Sequence, residues 1–123
     1  MLKLDEYLAE MSGSDQQQVE NRLVQALEHL LRIHSTEMPE IVHRNKRGWQ
    51  ESVDEQRRRL FRLINSHGSL KPDLHNMDPE AAHRKALKTL DVDYPSVKFP
   101  RTCPFTLEEI VGDAVMKELR EEN

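Results

Sequence analysis

Four kinds of side chain in this 123-residue sequence have the means to do chemistry: six histidines, a single cysteine, a run of arginines, and an adjacent glutamine and arginine. Imidazole is a common ligand for zinc and related metals, but its spacing here opposes a metal site. His29 and His34 are five residues apart on one helix and point about 140° apart. Gly68 and Pro79 interrupt the series His67, His75 and His83, and there is no His-Glu-x-x-His or paired-cysteine pattern. No metal and no cofactor is expected. His34 reads as a partly buried helix-end histidine satisfied by a backbone carbonyl, and His29, on a helix flank, as an interhelical hydrogen-bond donor.

Cys103 would act as a nucleophile only if a base or a helix terminus lowered its pKa. Thr106 opens a helix three residues later, but no base stands near in the sequence. The simpler reading is a small thiol filling a gap under a proline-rich strap. With one cysteine no internal disulfide can form, and there is no leader-like segment or span of 18 apolar residues. These features predict a cytoplasmic protein.

The arginines give the sequence an uneven charge. Residues 1–40 carry three bases and eight acids, residues 41–65 seven bases and three acids, and residues 66–123 eight bases and eleven acids. The candidate anion contacts Arg44, Lys46, Arg47, Arg58 and Arg62, with Arg57 and Arg59 beside them, have the chemistry to meet phosphates. Against that use, Arg47 with Glu51, Asp54 with Arg58, and Glu55 with Arg59 stand at the spacing of ordinary solvated helix pairs. No aromatic side chain alternates with these bases as a stacking platform for bases would need. The four glycines build no Walker or dinucleotide loop.

Gln56 falls inside an apolar helical arc and Arg57 at its edge. A buried polar side chain must find hydrogen-bond partners or destabilise the fold. We therefore expect His29, Gln56 and Arg57 to serve a structural polar network joining this helix to its predecessor or to the C-terminal strap.

The elements that must position these residues follow from periodicity and punctuation. Leu4, Tyr7, Leu8 and Met11 predict a short helix stopped by Ser12-Gly13-Ser14. Ser14, with Gln17 as a capping-box partner, predicts a new helix from Asp15 to about His34. Its apolar face, from Val19 to His34, spans about half the circumference, wide enough for more than one neighbour. After a connection containing Pro39, a helix from Asn45 to Asn65 buries Trp49, Val53 and Leu60, with Gly68 as a left-handed cap. A brief turn over Ser69–Met77 precedes a helix from Pro79 to about Leu90, capped by Asp78. Pro95, Pro100 and Pro104 make the next segment a strap. The capping box Thr106-Leu107-Glu108-Glu109 opens a final helix to about Leu119, kinked at Gly112.

The run from Arg44 to Leu60, RNKRGWQESVDEQRRRL, resembles the signature of a bacterial helical family, domain-of-unknown-function family twenty-nine. Leu27 to Arg32, the Ser69-Leu70-Lys71-Pro72 turn and Phe99 to Glu109 agree in order, so the resemblance covers nearly the whole chain. It implies a small, soluble, mostly helical protein with no agreed activity. It also implies a further N-terminal helix ahead of the part matching Leu4–Met11, which this chain begins too late to contain. A partner or a second copy is then expected to cover that surface.

The resulting expectation is an all-α compact bundle of four to five helices, one domain over residues 1–123, with Leu27, Leu30, Trp49, Val53 and Leu60 in its core. The leading functional reading is a non-catalytic protein-interaction module acting through the wide apolar face or the N-terminal helix, with self-association as one form. The alternative is a nucleic-acid-associated or antitoxin-like regulator using Arg44 to Arg62. Catalysis ranks third, because it needs a cleft where at least two of His29, Gln56, Arg57 and Cys103 converge.

Overall fold

The computed structural model describes residues 4–40 and 44–120, with side chains from residue 15 onward. Among the described residues it is all-helical, with no strand: α1 (Leu4–His34), α2 (Lys46–Ser66), α3 (Leu70–His75), α4 (Pro79–Asp93), α5 (Leu107–Val111) and α6 (Asp113–Arg120).

One difference from the sequence expectation concerns the start. Ser12-Gly13-Ser14 does not stop a helix; α1 runs through it for 31 residues, about 46 Å. A glycine or serine inside a helix costs only about 1 kcal/mol or less relative to alanine, which a helix already anchored by packing can absorb. The Ser14–Gln17 box therefore has no terminus to cap. The side chains of Leu4, Tyr7, Leu8 and Met11 lie outside those described.

The wide face of α1 is used within the fold. Val19, Leu23, Ala26, Leu27, Leu30, Leu31 and Ile33 are all buried, and α1 packs most extensively on α2, then on α4, with α5 and α3 also touching it. Asp15 lies 3.7 Å from His67 and Gln25 bonds Gln56, so α1 and α2 run antiparallel. From α2 come Trp49, Val53, Leu60 and Ile64. Leu74, Leu90, Ile110 and Val115 extend the same apolar cluster through α3, α4, α5 and α6. Fully burying a side chain of this size contributes about 1.5–3 kcal/mol, so the α1–α2 seam is the main source of stability.

Two predicted termini form as the spacing requires. The Asp78 carboxylate accepts the Glu80 amide. Thr106 and Glu109 make both halves of a capping box. Gly68, by contrast, is not left-handed. The chain turns directly from α2 into α3, with the Leu70 amide bonded to His67 O and the Lys71 amide to Gly68 O, and such a right-handed turn needs no positive φ. Gly112, at φ +89°, is the left-handed residue, and it divides the C-terminal helix into α5 and α6.

Between α4 and α5 the strap inserts Val97 and Phe99 into the core. It is pinned at four points. His83 Nε2 lies 2.7 Å from Pro100 O, Glu80 accepts the Cys103 amide at 2.8 Å, Arg101 makes a two-pronged bridge to Asp91, and the Lys98 amide reaches Glu37.

Candidate functional site

Polar assemblies surround α2 and the strap, and an open groove adjoins the one built on Arg57. The first centres on Gln56, which faces α1 because it shares the stripe of Val53 and Leu60. Buried to 5% exposure, Gln56 donates through Nε2 to Gln25 Oε1 at 3.1 Å and accepts from Arg22 Nη1 at 3.1 Å. Both poles of its amide are thus satisfied. His29, one turn further along α1 from Gln25, takes no part in this cluster and instead lies 3.2 Å from Arg32 Nη1.

Arg57, the next residue, points the other way. Its Nε donates to Ile110 O at 3.2 Å and its Nη2 to Glu109 O, while Nη1 stands 3.5 Å from Asp54. Carbonyls at the end of a helix lack intrahelical donors, and here a guanidinium from another helix supplies them. Gly112 makes room: a Cβ built there would stand 3.0 Å from Arg57 Cδ.

The second assembly gathers at the end of α1. Arg32 bridges to Asp93 at 3.9 Å and lies 5.6 Å from the centre of the Tyr94 ring. Burial pushes the Glu28 carboxyl above its usual range, against the lowering pull of Arg32 and a hydrogen bond from Thr89. Burial also holds His29 below its ordinary value, and the Arg32 cation acts in the same direction. His34 is exposed rather than partly buried; its ring rests against Phe105, centroids 5.3 Å apart. Leu31 and Ile33 of the same turn are buried, so His34 lies on the outward side of the helix end, where Phe105 of the strap meets it.

The third assembly holds the strap. A carbonyl oxygen can only accept, so the contact to Pro100 puts the proton of fully buried His83 on Nε2. Its Nδ1 is buried with no hydrogen-bond partner among the described residues. Cys103 donates its thiol to Phe105 O, and burial, then the carboxylates of Glu80, Asp78 and Glu109, push that thiol upward despite this bond. A thiol held protonated is a poor nucleophile.

His29, Gln56, Arg57 and Cys103 therefore sit with different partners rather than around one cleft. Among the described residues no three His, Cys, Asp or Glu side chains group so as to hold a metal ion.

The basic segment is largely cross-linked within α2. Glu55 accepts from both Arg58 and Arg59, at 2.8 and 3.1 Å, and this pairing holds its carboxyl below the usual range. Arg58 thus pairs with Glu55 rather than with Asp54, because Asp54 is engaged by Arg57 and Gln50. Arg47 stands 3.7 Å from Glu51 with both exposed; Arg44, Lys46 and Arg62 are also exposed.

Sequence reasoning had no signal for the groove between α2 and the α5–α6 elbow. It encloses about 450 Å³, with Phe61, Val111, Ala114 and Val115 on its floor and Arg57, Arg58 and Arg62 along its rim. Phe61 and the arginines lie on a helix whose apolar arc already faces α1. The elbow that completes the groove exists only because Gly112 bends the chain.

Comparison with family models matches residues 1–115 to a family described as Domain of unknown function DUF29. No curated protein and no solved structure matches the chain. No helix among the described residues is long and apolar enough to cross a membrane.

Proposed function

Because the chain belongs to the DUF29 family, a family without an assigned activity, we propose from its geometry that it is a non-catalytic protein-interaction module, bacterial and cytoplasmic, whose docking surface is the α2/α5–α6 groove. The wide face of α1, the first surface that periodicity offers for this role, is filled by the fold's own helices. The groove is the observation that carries the proposal: an apolar floor between helices, bordered by guanidinium groups, has the composition of a helix-binding site. The separation of His29, Gln56, Arg57 and Cys103 favours binding over catalysis.

Quantitative affinity purification from the native cell, run side by side with the wild-type chain and Phe61→Glu, tests this reading. Phe61 is half-buried at the groove floor, so the variant is checked first for an unchanged melting curve. Expected is a set of co-purifying proteins that the variant loses. Identical recoveries from a folded variant would remove the groove from consideration.

A further inference from the structure

We infer that the groove receives the N-terminal stripe of α1, Leu4–Met11, from a second copy of the chain; this rests on reading the groove as a docking surface. The stripe and the groove match in both apolar pattern and charge. In sequence, Leu4, Tyr7, Leu8 and Met11 recur at i, i+3, i+4 and i+7, the anchor spacing of a helix laid into an apolar groove. Between them stand Asp5, Glu6 and Glu10, with no base from Leu4 to Met11. The groove offers Phe61, Val111 and Val115 below, and Arg57, Arg58 and Arg62 above, with Asp113 the single acid of its lining. Arg57 stands beside Asp54, and Arg58 and Arg59 share Glu55, so with Arg62 and Asp113 four arginines face three acids and one positive charge is left in excess beside the groove.

Geometry assigns the stripe to another molecule. α1 is continuous through Gly13, and it runs antiparallel to α2, with Asp15 beside His67 just past the last turn of α2. The residues before Asp15 thus continue past that end, whereas Arg57 to Arg62 lie back along α2. A chain's own stripe reaches its own groove only if α1 breaks. Two chains meet the requirement without breaking anything, each giving a stripe and receiving one, which is the self-complementary arrangement of a two-fold dimer.

Sedimentation equilibrium of the full chain over a wide concentration range tests the inference, with circular dichroism to verify each variant's fold. Expected is a monomer–dimer equilibrium that weakens with salt. Leu8→Glu and Phe61→Glu should each raise the dissociation constant about a thousandfold, because the two-fold dimer loses one anchoring side chain, worth about thirtyfold, at each of its two stripe–groove contacts. Arg62→Glu should weaken association, and mixing it with Glu10→Lys should restore a mixed dimer. A chain that stays monomeric throughout overturns the inference, as does a dimer indifferent to Leu8→Glu and Phe61→Glu. In either case, loss of co-purifying proteins by Phe61→Glu would leave the groove standing with another protein as occupant. Failure of both experiments would end both readings.

Discussion

Arg57 and Gly112 are shaped to each other. The aliphatic stem of the arginine crosses the glycine where a Cβ would stand 3.0 Å from Cδ, and its guanidinium then reaches the carbonyls of Glu109 and Ile110 that end α5. A five-residue helix cannot hold itself together in water. It persists here because α2 supplies donors to the carbonyls at its C-terminal end and its own capping box supplies acceptors to the amides at its start.

Replacing Arg57 by Leu should therefore destabilise the fold by about 2 kcal/mol, the worth of charge-assisted hydrogen bonds to otherwise unserved carbonyls. That is a drop of several degrees in Tm for a chain of this size. An unchanged melting curve would refute the network.

Gly112→Ala should cost about 1–2 kcal/mol, since φ +89° is unfavourable for an L side chain and the new methyl meets Arg57. In an Arg57→Ala background the steric part should vanish while the backbone part remains. A double-mutant cycle by chemical denaturation separates them, and strict additivity would deny the contact.

His83→Ala should cost about 3 kcal/mol, combining a cavity under the strap with the lost bond to Pro100 O. Loosening the strap should also speed alkylation of Cys103, whose thiol is otherwise held protonated by burial. Equal labelling rates in variant and wild type, both folded, would show that His83 does not hold the strap.

Stability should respond to pH through Glu28 and His29 in opposite senses. His29 is held below its ordinary 6.5 in the fold, so the unfolded chain takes up that proton first. Its contribution is complete above about 6.5 and declines as pH falls from there toward the depressed value. Glu28 is held above its ordinary 4.5, so its contribution is complete below 4.5 and declines as pH rises through the elevated value. His29→Gln should flatten the acid side of the Tm–pH curve just below 6.5; a curve superimposable on wild type would contradict the shift.

Periodicity and capping chemistry in the sequence were enough to establish that the chain is helical and where most helices lie, because those signals act within one or two turns. Trp49, Val53 and Leu60 declare the inner face of α2, and Asp78 and Thr106 mark the starts of α4 and α5. The local rule failed at Gly13 and Gly68, and only the tertiary structure decided both. α1 runs unbroken through one glycine, and an immediate turn into α3 left the other right-handed. The polarity of Gln56 announced that it needed partners, yet Arg22 and Gln25 became those partners only when α1 and α2 aligned antiparallel. Likewise, the sequence could place Arg57 at the edge of an arc and Gly112 at a bend, but not one across the other. Contacts between residues more than fifty positions apart depend on how whole helices settle against each other, and the groove is bounded by just such contacts.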